Sequence, residues 1–379
     1  MTILDRYILR SFVFNFVGWN FCFIGIFVVF DLFTNLDSLM RAGNEAGNVL
    51  QVIFLYYFYK SIPIVLLLGS VLSLVSAMVT VALLMKNNEF VPIQAAGIST
   101  LRIVRPLIIA VFCTTALFCV MREVLLPNVQ DQITMSAADF AKYSGMPLNV
   151  TIDHETDIRI RGHRVFRSER RIAESEFVIP RTIARQQLTI SGESAIHMPA
   201  TRAHPAGYLI SGVRDRQILQ NPSIIWQDRP ILITPTCEDF SAMIRLESDQ
   251  CFVVTNVPLE SLASRDAWRH ASLLTLISAA RNRSLDVGDS VHLAIHTRLV
   301  QPILDMTLLF LALPVLLVRG GQNVFKAVGL CSLILLAFFV VCYASQFAGA
   351  NGDMPVLGAW LPMMIFVPIA VNQFFRLWE

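Results

Sequence analysis

The stretch SIPIVLLLGSVLSLVSAMVTVALLM, residues 61–85, contains no charged side chain. A helix rises about 1.5 Å per residue, so a run of this length exceeds the roughly 30 Å hydrocarbon core of a bilayer. Five other stretches share its character: 12–33, 103–126, 299–318, 324–347 and 356–375. Three lie on each side of a polar segment, 127–298. The pattern predicts an α-helical membrane protein with six transmembrane helices, three plus three, around an inserted extramembrane domain.

Composition divides the chain in the same way. It is 55% hydrophobic and 15% charged, well below the roughly 25% charged of a typical soluble protein. Residues 151–260 hold 13 Arg and 14 Asp/Glu, close to half of the chain's 58 charged residues. A net charge of +2 gives no reason to expect a nucleic-acid partner.

Orientation follows from the basic residues beside the spans. With a cytoplasmic N-terminus, the inner segments carry Arg6, Arg10, Lys86, Arg102, Arg105, Arg319, Lys326 and Arg376, and the short outer loops carry only Arg41 and Lys60. Lys and Arg are retained on the cytoplasmic side, whereas long domains translocate largely regardless of charge. Both termini are therefore expected in the cytoplasm and the large insert outside it. The first span is too long for a signal-peptide core and has no small-residue cleavage site, so it is expected to be retained.

The insert reads as β structure from 127 to 260. Segments 157–161, 164–170, 187–191, 208–213, 223–226, 231–234 and 251–257 are short and rich in β-branched or aromatic residues. Gly162, Gly192, Pro199, Pro205–Gly207, Asn221–Pro222 and Asp228–Pro230 are the expected turns. Such spacing suits a sandwich, a jelly roll or a curved open barrel, with no helix before about Leu259. Residues 261–283 then show helical spacing. They predict one amphipathic helix, within a connection 261–298, lying on its own domain or at the membrane surface.

Catalytic signatures are missing. The chain has no Gly-Lys dipeptide and hence no Walker A loop. His154-Glu155 lacks the second His of a zincin, and there is no Gly-x-Ser-x-Gly elbow. His292 and His296, spaced i, i+4, are the closest approach to a metal pair, but no acid or Cys completes a site. Five cysteines fall within spans, and Cys237 and Cys251 in the exported domain are candidates for a disulfide.

Charge inside a span is expensive. Asp305 lies about two turns into the fourth span, with Gln301 at i−4 as a hydrogen-bond partner and Arg298 a turn earlier. The three are candidates for a polar cavity or an interface. Arg122-Glu123 and Asp31 lie near outer span ends and read as interfacial anchors.

The loop 86–102 is the other informative segment. Asn88 is placed to cap a two-turn helix starting at Glu89, whose charge suits a helix N-terminus. Pro92 is tolerable in the first turn and Gly97 is a fitting stop. This helix would present Phe90, Val91 and Ile93, to be covered by the protein's own spans, by the bilayer surface or by a groove on a soluble partner.

Four features together resemble the LptF/LptG family of lipopolysaccharide export permeases. They are ILDRYILRSFV (3–13), NEFVPIQAAGIS (88–99), HTRLVQPILDMTLLFLALPVLL (296–317) and the layout of three spans, β domain and three spans. The resemblance covers nearly the whole chain. It implies a non-catalytic subunit of an ABC-type lipid exporter, with ATP as the only cofactor and bound by a separate cytoplasmic ATPase dimer. It also implies a paired homologous permease, lateral gates at the first and fifth spans, and a jelly-roll domain passing acyl chains to a periplasmic bridge. On this reading Glu89, Phe90, Val91, Ile93, Gly97 and Ser99 couple the chain to its ATPase. Pro92 departs from the family's usual residue. The outer end of the first span carries Asp31, Asp37 and Arg41, without the basic cluster expected for lipid phosphates. Two other readings are a secondary transporter, which needs paired intramembrane ionisable groups, and a membrane-tethered assembly scaffold.

Overall fold

The computed structural model describes residues 2–134, 146–166, 169–201, 204–220, 223–227, 229–236, 246–263, 270–286, 288–319, 324–351 and 354–375. Two compact units emerge: Met1–Met40, Val49–Ile133 and Gly288–Glu379 form the first, Arg41–Asn48 and Thr134–Val287 the second.

The first unit is helical. Its long helices are α1 (Ile3–Ala46), α2 (Val49–Lys86), α4 (Thr100–Asn128), α9 (Gly288–Arg319), α10 (Val324–Asn351) and α11 (Pro355–Phe375). All six contain a window long and apolar enough to cross a membrane. A short α3 (Phe90–Ala95) joins α2 to α4, and α5 (Gln130–Thr134) follows α4. Several helices outrun the apolar stretches. At 44 residues, α1 is roughly 66 Å long, and Arg41 and Lys60, expected in loops, lie inside helices. Hydropathy marks the hydrocarbon depth, whereas backbone hydrogen bonding carries the helix past it until Gly47 turns the chain at φ +80.

Small and polar residues decide which helix is central. On α2, Gly69, Ser73, Ser76, Ala77 and Thr80 are buried. Lipid offers apolar side chains no reason to leave it, so close backbone approach and side-chain hydrogen bonds select the contacts. The Phe118 ring of α4 occupies the space that a side chain on Gly69 would take. The Ser73 and Thr114 hydroxyls meet at 2.6 Å. Ser76 and Thr80 donate to the carbonyls of Leu72 and Ser76, satisfying their hydroxyls within the helix.

The second unit is built on one antiparallel sheet. Its described strands are β1 (Met146–Pro147), β2 (Thr151–Ile152), β3 (Arg159–Arg161), β4 (Arg164–Phe166), β5 (Arg171–Ile179), β6 (Leu188–Met198), β7 (Gly207–Val213), β8 (Ile224–Trp226), β9 (Arg229–Ile233) and β10 (Cys251–Val254). The order is β1-β4-β5-β6-β7-β10-β9-β8, with β3 pairing with β2 and β5. Ile160, Ile172, Phe177, Ile190, Ala195, Tyr208, Ile210 and Val253 share one core.

One row bends this sheet. Ala173 pairs with Ser194 and Ser175 with Gly192, so Glu174 stands level with Glu193. On the next strand Ser194 pairs with Ser211 and Gly192 with Val213, which places Gly212 in the same row. Glu174 and Gly212 have positive φ, +50 and +67. The inward side chains change parity there on all three strands, from Ile172 to Phe177, Ala195 to Ile190 and Ile210 to Val213. The strands bend together while their register is kept, which gives the curvature of a jelly-roll-like wall.

The structure corrects several details. β5, at the centre of the sheet, was not expected, because Glu174 interrupts its alternation. Gly192 lies inside β6 and is no turn. Two short helices were also unexpected: α6 (Arg216–Gln220), which interrupts the strand region, and α5. Among the described residues, α7 (Leu259–Ala263) and α8 (Leu273–Arg281) stand where one helix from 261 is expected, with a break before Leu273. Ser272 is extended at the start of α8, and its hydroxyl accepts from the Thr275 N–H. That cap begins a new helix. Cys251 is a buried free thiol, and Cys237, its candidate partner, lies outside the described residues.

Candidate functional site

The segment between α2 and α4 is a compact helical turn. Asn88 adopts φ +56, which a short amide side chain tolerates, and so does not cap. The helix instead starts at Phe90, with Glu89 at its N-cap position and no side-chain cap bond. Its end follows the expected pattern. Gly97 takes φ +78, its N–H donates to the Gln94 carbonyl at 2.9 Å, and the Ile98 N–H reaches back to Ile93 at 3.4 Å. These two bonds are the Schellman arrangement, which glycine enters without strain.

Its side chains separate by direction. Phe90 is buried in the core of the helical unit, and Ile93 packs against that core. Val91 is 67% exposed. The apolar residues thus have two jobs: Phe90 and Ile93 seat the segment, and Val91 faces outward. Glu89 accepts a hydrogen bond from the Tyr7 hydroxyl of α1 at 2.9 Å, a contact that sequence spacing gives no means of foreseeing. Ser99 is the extended residue before α4, again without a side-chain cap bond.

The polar residues of the fourth span gather with those of its neighbours. Gln301 Nε2 donates to Asp305 Oδ1 at 3.0 Å. Arg298 has a side chain only 9% exposed and lies 3.7 Å from Glu123 Oε1. Arg122 donates to the Arg298 carbonyl at 3.4 Å and is 4.0 Å from Glu123. Arg122-Glu123, expected as interfacial anchors, therefore also join α4 to α9. Asp31 likewise accepts from Tyr57 of α2 at 3.0 Å.

Among the described residues, no group of three His, Cys, Asp or Glu is placed to hold a metal. His296 instead meets the Trp360 indole N–H at 3.4 Å.

Six membrane-length helices, a β unit between the third and fourth in chain order, and a short helix linking the second to the third define a polytopic membrane protein with an inserted β unit. The family model for the lipopolysaccharide export system permease LptF/LptG matches residues 6–378, nearly the entire chain. The protein belongs to that family. No curated protein sequence matches it. Membership places it in lipopolysaccharide export as a multi-pass inner-membrane permease subunit, working with partner proteins.

Proposed function

We propose that this chain is one half of a paired permease in an ATP-driven lipopolysaccharide exporter, driven through α3 by a cytoplasmic ABC-type ATPase dimer. ATP is used by that ATPase, and this chain contributes no catalytic residue. Its termini are cytoplasmic and its β unit periplasmic, where the curved sheet passes lipid to a bridge of similar domains. The observation that carries the reading is the form of α3: six residues, stopped at Gly97, anchored by Phe90, with Val91 outward and Glu89 at its N-cap position. A turn this short is marginal alone, so its fixed shape comes from its anchor. A rigid knob of this kind suits a groove on a soluble protein.

The test is co-purification. Wild-type chain carrying an affinity tag is expected to bring down a nucleotide-hydrolysing partner and a second permease. Glu89→Arg should lower ATPase recovery by about tenfold, since a like charge facing a cation of the partner costs on the order of 1.4 kcal/mol or more. Unchanged recovery with Glu89→Arg would remove Glu89 from the docking surface.

A further inference from the structure

Side-chain hydrogen bonds from Tyr7, Asn15 and Asp31 tie α1 to the rest of the helical unit at different levels. Tyr7 donates to Glu89 Oε2 at 2.9 Å, Asn15 donates to Thr80 at 3.1 Å, and Asp31 accepts from Tyr57 at 3.0 Å. Packing is concentrated at the inner end. The apolar window of α1 is 6% buried, against 50% for α2. Ile8 and Phe12 seat its inner end in the core, and beyond them Phe14, Phe21, Phe30 and Phe33 face outward. Past that inner end, few interdigitated side chains of the apolar window resist a shift of the helix.

The tie at Tyr7 differs from the other two. Thr80 and Tyr57 belong to α2, the most buried of the first three spans, whereas Glu89 belongs to the short segment after it. We propose that Tyr7 is a positioning residue for transport, its hydroxyl linking the inner end of the first span directly to the segment on which the ATPase docks. The inference rests on the proposed function and adds a route to it.

The chemistry of the pair suits both tasks. An ionised carboxylate has two oxygens and about four acceptor positions. The phenol O–H occupies Oε2, and Oε1 is open to a cation of the ATPase whether or not that bond is made. No Lys or Arg forms an ion pair with Glu89 among the described residues. A hydroxyl donating to a charged acceptor is stronger than a neutral pair. A displacement of α3 then reaches α1 through this bond as well as through the core that Ile8 and Phe12 share with Phe90.

The test uses the whole complex in vesicles loaded with lipopolysaccharide, with ATP hydrolysis and lipid release read together. Tyr7→Phe keeps the ring and removes the donor. It is expected to leave ATPase recovery and the melting temperature at wild-type levels, and to lower lipid released per ATP by roughly fivefold, the scale of one hydrogen bond. Tyr57→Phe, which removes a comparable hydroxyl from a tie to α2, should stay within about twofold by the same measure. Lipid release per ATP unchanged in Tyr7→Phe would overturn the proposal. So would loss of the ATPase or a fall in melting temperature with that variant, because the hydroxyl would then serve docking or folding. A wild-type chain that never binds an ATPase would instead remove the proposed function, so the two failures are separable.

Discussion

α1 and α2 are both long, apolar helices, yet they are used in opposite ways. On α2, small and hydroxyl side chains let α4 approach, and half of its apolar window is buried. On α1 the same depth is filled by Phe, Val and Ile side chains, and Gly18 and Gly25 face open space. Hydrophobicity inserts both helices; it does not say which one packs. In lipid, small and polar residues make that choice. The result is a packed hub next to a helix whose apolar window is mostly exposed.

That contrast is open to attack at several points. Gly69→Leu drives a side chain into the Phe118 ring, and overpacking of this kind costs about 1–3 kcal/mol or more. Its thermal melt in detergent should show the largest loss of any variant here. Gly25→Ala on α1 meets nothing within 4 Å and gains helix propensity of about 0.5–1 kcal/mol. It should leave the melt unchanged or raise it slightly, and a fall as large as that of Gly69→Leu would erase the distinction.

A smaller effect is expected where α4 and α9 are joined. Arg298→Ala leaves Glu123 with one cation fewer in a partly buried place, at about 1 kcal/mol. Because Arg122 donates to the Arg298 backbone carbonyl, that bond survives the change. Chemical denaturation of the purified protein measures the loss.

The β unit should be indifferent to those helix variants and sensitive to alkali. Burial pushes the Cys251 thiol up from 9.0 to about 12, and burial likewise raises the Tyr208 hydroxyl well above its usual value. A folded state that holds its proton more tightly than the unfolded chain is fully stabilised below the unfolded value. For Cys251 the contribution is present below pH 9 and is lost as pH rises towards 12, by about 1.4 kcal/mol per unit. Cys251→Ala should flatten that slope in Trp fluorescence melts between pH 9 and 11. Tyr208→Phe strands the Val257 carbonyl and should cost about 1 kcal/mol at neutral pH.

The six spans were legible because continuous apolarity has one physical reading at that length. Helix ends were less so, since residues 34–46 stay helical after hydropathy falls. β5 escaped because Glu174 reverses which side chains face inward, so RIAESEFVI has no steady alternation. Gly192 misled for a related reason: it serves a buried strand where glycine more often marks a turn. Within the candidate site, Gly97 and the pairing of Gln301 with Asp305 follow from local spacing. Tyr7 and Glu89 are 82 residues apart, and only the folded helices bring them together.

The most direct measurement is lipopolysaccharide release from vesicles carrying this chain and its paired permease, with and without the cytoplasmic ATPase. Release that requires both the ATPase and hydrolysable ATP is the predicted result. Equal release when the ATPase is left out would contradict the account.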